Sequence, residues 1–260
     1  MQRGTLGHLS KGTPLSFVTA CYHRDMTTRL IPLVESEFYH VYNRGTDKRT
    51  IFLESSDYKR FIELLYIANT SAHINVRTLK RYSKDIFTFD RIDTLVSIGA
   101  YCLMPNHFHL LLTTQTKDGI STFMNKVSTG YAMYFNKKYE RSGTLFQGTF
   151  KSQHADSDEY LKYLYAYIHL NPVKLIDKDW KERGSKDAAK SFDFAASFQY
   201  SSLQDYLGST RPESLILDKQ PFPEYFMTSE ETKDDLFEWL TYQDFLTNQN
   251  EGRSFAKDRP

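Results

Sequence analysis

The order of strand and helix patterns between residues 37 and 172 limits the folds open to this chain more than any other property of its sequence. Alternating side chains over 38–42 predict a strand, and apolar residues at helical spacing after Ser55 or Ser56, either of which can cap a helix, predict a first helix. Two β-rich runs separated by a Pro-Asn turn then predict a hairpin over 95–114.

The same alternation continues after the hairpin. Apolar residues at helical spacing predict a second helix over 120–138, and a β-like stretch predicts a short strand over 145–151. A third helix is expected to start at Asp156 and to end near Pro172. This order predicts the α+β class, with a ferredoxin-like antiparallel sheet, helices on one face, and a helical C-terminal appendage.

Composition divides the chain of 260 residues into three parts. Residues 1–36 mix small and polar residue types without periodicity and are expected to be a poorly ordered leader, with Met26 as an alternative start. Residues 37–174 hold the alternating pattern and form the expected main domain. Residues 175–260 are richer in acidic side chains, with a helix pattern over 229–240, and are expected to form an acidic helical extension.

The formal net charge of +1 is the sum of unlike regions, of which residues 1–37 contribute +1. Residues 38–174 carry 18 basic and 12 acidic side chains, a net charge of +6. Residues 175–260 carry 11 basic and 17 acidic side chains, a net charge of −6. The main domain therefore carries the positive net charge that favours binding of a nucleic acid, although the chain as a whole is nearly neutral.

Cysteine content and hydropathy indicate the compartment. Two cysteines in a chain of this length cannot form a disulfide framework, so a reducing environment is expected. No apolar run approaches the length that spans a bilayer, so no membrane association is expected. Both observations favour the cytoplasm.

Two histidines stand at alternate positions in the second run of the hairpin. His107 and His109 point to the same face of a strand, and neutral imidazole nitrogens bind divalent transition metals when an oxygen ligand completes the set. An isolated pair of this kind more often faces solvent or a polar core. Here the preceding turn and the apolar residues that follow place both rings at the mouth of a sheet.

The third helix is rich in tyrosine. Tyr167 and Asn171 lie one turn apart and project together, so a phenol and an amide would share one site. A phenol can attack a phosphodiester when a metal polarises the phosphate. Tyrosines on a core helix more often pack with their hydroxyls at the rim, and the residues alone do not select one of them.

Four ordered motifs carry a resemblance to a known family. They are Tyr39-His40-Val41-Tyr42-Asn43-Arg44-Gly45, Pro105-Asn106-His107-Phe108-His109-Leu110-Leu111, Gly143-Thr144-Leu145-Phe146-Gln147-Gly148-Thr149-Phe150-Lys151-Ser152 and Tyr167-Ile168-His169-Leu170-Asn171-Pro172-Val173-Lys174. Together they resemble the REP-associated tyrosine transposases, which are HUH endonucleases. The resemblance extends over about residues 37–207.

The resemblance implies a role for particular side chains. Tyr167, five positions before Pro172, matches the nucleophile. The residues that match the ligands of Mg²⁺ or Mn²⁺ are His107, His109 and Asn171. The residues that match DNA contacts are Arg44, Gln147 and Lys151. Thr149 stands where a basic residue is common in the family, which removes one expected phosphate contact.

The function implied by the resemblance is metal-dependent cleavage and joining of single-stranded DNA near hairpins, through a 5′-phosphotyrosine intermediate and without a nucleotide cofactor. The protein would be cytoplasmic and associated with the nucleoid, as a monomer or a homodimer. One alternative is a domesticated protein that binds hairpin DNA without cutting it. Another is a phosphodiesterase with paired histidines, but that chemistry needs two separated histidine motifs, and here both histidines lie in one.

Overall fold

Four antiparallel strands form the central sheet of this computed structural model, which describes residues 32–73, 79, 85–225 and 228–241. The strands are β1 (Tyr39–Arg44), β2 (Ser97–Met104), β3 (His107–Thr113) and β4 (Lys151–His154). Their order across the sheet is β2-β3-β1-β4. Strands β2 and β3 form the predicted hairpin.

The two helices that connect the strands cover one face of the sheet. They are α1 (Ser55–Ile67) and α2 (Gly119–Lys138). Phe61 of α1 and Phe123 of α2 join Val41, Phe108 and Leu110 of the sheet in the main hydrophobic core. The order β1-α1-β2-β3-α2-β4, with this strand order, confirms the predicted ferredoxin-like fold.

A third helix, α3 (Asp158–His169), lies on the opposite face of the sheet. Every residue of β2 is buried, so this strand needs apolar cover on both sides. Cys102 and Leu111 of the sheet pack with Leu164 and Ile168 of α3. The prediction placed the helices on one face of the sheet; α1 and α2 lie there, whereas α3 lies on the other face, where it covers the buried strand β2.

The C-terminal region packs on the outer side of α3. Its helices are α4 (Trp180–Arg183), α5 (Ala188–Ser197), α6 (Leu203–Tyr206) and α7 (Ser229–Thr241). Ala166 and Leu170 meet Phe192, Leu236 and Leu240 in one buried cluster. The predicted helical appendage is thus present and shares a core with α3.

The outer edge of β2 is covered by the same C-terminal region. The amide of Leu103 donates to the carbonyl of Tyr200 at 2.9 Å, and the amide of Ser202 donates to the carbonyl of Tyr101 at 2.9 Å. Farther along, the amide of Asp218 donates to the carbonyl of Ile98 at 3.1 Å. Irregular chain therefore satisfies backbone groups that an edge strand would otherwise leave open.

Some predicted boundaries are wrong. The strand expected over 145–151 lies later, at Lys151–His154, because Gly148 adopts a left-handed backbone angle, with φ of 69°, that breaks the extended run. Glu54, not Ser55 or Ser56, caps α1.

At the start of α3, Ser157, not Asp156, is the N-cap: its hydroxyl accepts from the amide of Tyr160. This helix ends at His169, and Asn171 begins a separate 3₁₀ turn (Asn171–Leu175).

Most of the leader predicted at 1–36, and the chain end from 242 onward, lie outside the described residues. Within the described residues, no helix combines the length and the apolar character needed to cross a bilayer.

Candidate active site

Strand pairing places the predicted site residues on one face of the sheet. Arg44 of β1 is opposite His107 of β3, and Tyr42 is opposite both His109 of β3 and Lys151 of β4. Residues that are directly opposite in antiparallel strands point to the same side. The alternate positions of the same strands, such as Val41 and Phe108, point into the core beneath α1 and α2. The predicted site residues therefore point to the opposite face, which α3 covers.

His109 lies at the centre of this face and is 1% exposed. Its Nδ1 atom is 2.8 Å from Nε2 of His40, so the two rings share a hydrogen bond. Its other nitrogen, Nε2, is buried and has no hydrogen-bond partner among the described residues. A buried nitrogen without a partner is unfavourable unless something else binds it.

His107 stands at the start of β3 and is partly exposed. Its Nδ1 atom is 2.6 Å from Oδ1 of Asn106. The Asn106 amide nitrogen donates to the carbonyl of Lys48, so its oxygen is the acceptor and His107 carries its proton on Nδ1. This arrangement leaves the lone pair of His107 Nε2 available.

Helix α3 and the turn after it supply the other two side chains. The ring of Tyr167 is 8% exposed and stands edge-on to the ring of His109, with a centroid distance of 5.3 Å. Asn171 is fully buried, and neither atom of its amide has a hydrogen-bond partner in the part of the chain that the structure describes. The amide lies close enough to His107 to favour the charged form of that ring.

Burial keeps the histidines of this site neutral. Loss of hydration lowers the pKa of His40 to about 3 and the pKa of His107 to about 3, and it holds the pKa of His109 well below its usual value. The positive charges of Lys174 and Lys181 lower the pKa of His107 further. Neutral imidazole is the form that binds metal ions.

The residues present fit a divalent cation. The available donors are Nε2 of His107, Nε2 of His109 and Oδ1 of Asn171, and the last two are buried with no hydrogen-bond partner in the described ranges. Such a set of two imidazoles and one oxygen suits Mn²⁺, and Mg²⁺ with more water ligands. Histidine, cysteine and acidic side chains alone form no group of three or more suited to a metal within the described residues, so the Asn171 amide is essential to this fit.

The three residues expected to contact DNA lie at the same end of the sheet. Nε of Arg44 donates to Oε1 of Gln147 at 2.6 Å, and the amide of Gln147 donates to the carbonyl of Arg44 at 2.8 Å. Lys151 is exposed on the face that carries His109. The structure thus brings all seven predicted residues to one region.

Two further residues of the site had no assigned role in the sequence. Lys181 of α4 is 8% exposed, and its ammonium nitrogen is 3.5 Å from the centroid of the Tyr167 ring. It lies in an acidic region with no motif, so no pattern indicated it. His40 belongs to the first quoted motif, and its alternation with Tyr42 and Arg44 on β1 is the one feature that could have placed it beside His109.

Part of the chain is similar to a known protein family. Residues 57–171 match the family described as "Transposase IS200 like". His107, His109, Tyr167 and Asn171 all lie within the matched segment. No curated protein sequence is significantly similar to the chain.

A solved structure described as a REP-associated tyrosine transposase bound to a REP hairpin is also similar. It shares 13% identity, the match covers 72% of this chain and 90% of that one, and the TM-score is 0.44. The family match confirms the resemblance drawn from the motifs: residues 57–171 of this chain are similar to the IS200-like transposases.

Proposed function

We propose that this protein is a metal-dependent endonuclease and strand transferase that acts on single-stranded DNA near hairpins through a 5′-phosphotyrosine intermediate. The observation that carries the proposal is the contact of the Tyr167 ring with His109, whose buried Nε2 has no partner among the described residues. A phenol, two neutral imidazoles and an amide oxygen converge there. This set suits attack on a phosphodiester.

His107, His109 and Asn171 would hold the ion, Mg²⁺ or Mn²⁺. When bound, the ion polarises the scissile phosphate and offsets the negative charge that develops on its oxygens. The imidazoles are neutral without it, because burial lowers the pKa of His107 to about 3. The ligands therefore need no deprotonation near neutral pH.

In the covalent step, the phenol oxygen of Tyr167 attacks the phosphorus. A bond forms between this oxygen and phosphorus, the bond from phosphorus to the 3′-oxygen breaks, and the 3′-oxygen takes up a proton from solvent that balances the one lost by the phenol. The products are a 5′-phosphotyrosine and a free 3′-hydroxyl. Attack by another 3′-hydroxyl reverses the step and joins strands, so no nucleotide cofactor is required.

Positive side chains surround the place where the phosphate would lie. The charges of Lys174 and Lys181 lower the pKa of both His107 and His109, and the charge of Arg44 lowers the pKa of His107, so all three cations lie near these rings. Such charges attract the phosphate backbone and position it without reading the bases. With Gln147 and Lys151, they form the proposed DNA surface of a protein that works beside the nucleoid in the cytoplasm.

The test is formation of a covalent adduct between the purified protein and a single-stranded oligonucleotide with a hairpin, in the presence of Mn²⁺. We expect Tyr167→Phe to abolish the adduct, because the phenol oxygen becomes part of the new bond. Tyr163→Phe is the matched control: its ring lies on the same helix, with a centroid 5.6 Å from that of Tyr167, and this variant should form the adduct.

An adduct of undiminished yield with Tyr167→Phe would show that the nucleophile is another residue. Binding of the hairpin by the wild-type protein with no adduct would instead support the alternative, a domesticated protein that binds hairpins without cutting them.

A further inference from the structure

The hydrogen bond between His40 and His109 is the best-defined contact in the site that the proposed reaction does not use. It joins Nε2 of His40 to Nδ1 of His109 at 2.8 Å, and the two rings stack with centroids 5.0 Å apart. Both side chains are buried. One ring must donate and the other must accept, so this contact determines where each ring carries its proton.

The surroundings of His109 decide between the two arrangements. If His109 carried its proton on Nε2, a buried N–H group would face no acceptor among the described residues. If the proton is on Nδ1, it is donated to His40 and the unpartnered Nε2 presents a lone pair. The second arrangement satisfies the buried donor and leaves a nitrogen ready to bind a cation.

His40 itself is held firmly. Its ring stacks on Tyr42, two positions along β1, with a centroid distance of 5.0 Å, and it meets the ring of Tyr167 edge-on at 5.6 Å. Across the sheet it is opposite Leu111 of β3 and Gln153 of β4. An acceptor fixed in this way orients the partner ring as well as its proton.

We propose that His40 is a positioning residue: it accepts the Nδ1 proton of His109 and thereby directs Nε2 of His109 at the cation. The inference rests on the proposed metal site. His40 does not touch the ion or the DNA. It acts through His109, as hydrogen-bond acceptors behind metal-binding histidines generally do, and loss of such an acceptor lowers metal affinity about 10- to 100-fold.

The wild-type protein alone gives the first test. In the full chain labelled with ¹⁵N at histidine, nitrogen chemical shifts and one-bond N–H couplings identify the tautomer of each ring. We expect His109 to carry its proton on Nδ1 in the metal-free protein. A proton on Nε2 would overturn the proposal, and this outcome does not depend on any variant folding.

Variants give the second test, with Mn²⁺ alone as the probe and paramagnetic resonance of the free ion as the readout. His40→Gln keeps an acceptor at similar reach and should bind Mn²⁺ within about threefold of wild type. His40→Leu removes the acceptor and should bind at least about tenfold more weakly. Equal affinity of the leucine variant and wild type would overturn the proposal.

A matched control separates positioning from loss of a buried histidine. His169 is also buried, but its Nε2 is 2.8 Å from the hydroxyl of Ser202, which is not a residue of the proposed metal site. His169→Leu should lower stability but leave Mn²⁺ affinity at the wild-type value. A parallel loss of Mn²⁺ affinity in His169→Leu would show that the effect at His40 is structural.

The role of His40 and the proposed reaction can fail separately, and different measurements show which of them has failed. If wild type binds no Mn²⁺, the metal-dependent reaction fails, while the tautomer of His109 still decides the role of His40. If the adduct at Tyr167 forms with Mn²⁺ but His109 carries its proton on Nε2, the reaction stands and the role of His40 is refuted.

Discussion

The contact of Lys181 with Tyr167 shows how one side chain can prepare a nucleophile. Its ammonium nitrogen is 3.5 Å from the centroid of the ring, nearly excluded from solvent. A desolvated cation over an aromatic face is attracted by about 0.5–2 kcal/mol, so it fixes the ring. The attraction grows when the phenol loses its proton, because the oxygen then carries the opposite charge.

We therefore expect Lys181→Met to slow adduct formation by about tenfold, equivalent to about 1.4 kcal/mol, in single-turnover measurements with hairpin DNA and Mn²⁺. Lys181→Arg keeps the positive charge, so its rate of adduct formation should fall less than that of Lys181→Met. Lys178→Met, at an exposed position nearby, should react at the wild-type rate. If Lys181→Met reacts as fast as wild type, the cation has no role in the reaction.

Helices α1 and α2 are joined by a charged cluster rather than by apolar packing alone. The carboxylate of Asp57, fully buried at the start of α1, accepts from the amides of Leu53 and Glu54. Lys138, at the end of α2, donates to the same carboxylate at 2.6 Å, and Tyr139 donates at 2.7 Å. Each helix end thus meets a charge of the favourable sign.

Removing one partner of this cluster leaves a buried charge. Lys138→Met should reduce the free energy of unfolding by about 2–3 kcal/mol, measured by urea denaturation. Lys137→Met replaces a neighbouring exposed lysine and should change the free energy of unfolding by less than about 0.5 kcal/mol. Similar values for the two variants would mean that the ion pair contributes nothing measurable.

Patterns within single elements predicted most of the fold. The alternation in β3 placed His107 and His109 on one face, and the helix periods located α1 and α2 to within a few residues. β4 was misplaced because β-like side chains over 145–151 do not reveal the left-handed angles of Gly148. The grouping of Tyr167 and Asn171 with the histidines came from the family resemblance.

What the sequence could not predict depends on packing between distant parts of the chain. Lys181 reaches Tyr167 only because α4 returns across α3, and no local pattern encodes that path. The hydrogen bond from His109 to His40 likewise depends on the pairing of β1 with β3. Propensity and periodicity describe single elements, whereas these contacts arise from their assembly.

One chain supplies every residue proposed for the reaction. Tyr167 meets His109 of its own chain, and Asn171 follows directly after the same helix. We propose on this basis that each chain carries a complete catalytic site, whether the protein is a monomer or a homodimer.

Mixing two inactive variants tests this arrangement. Equal amounts of His109→Ala, which lacks a proposed ligand, and Tyr167→Phe, which lacks the nucleophile, should form no adduct together if each site uses one chain. If α3 were instead exchanged between the chains of a dimer, half of the randomly formed dimers would be mixed, and each would have one intact site of two. The mixture would then give about a quarter of the wild-type adduct. Light scattering on the same mixture would report whether the chains associate.

The cover over the edge of β2 also bears on how this chain folds during synthesis. β2 is complete once residue 104 has been made, but the backbone groups that pair with its outer edge belong to residues 200–218. A nascent chain that ends before this region exposes an open edge able to pair with other nascent chains. Slow translation between these points would thus increase co-translational aggregation, although the finished protein hides that edge.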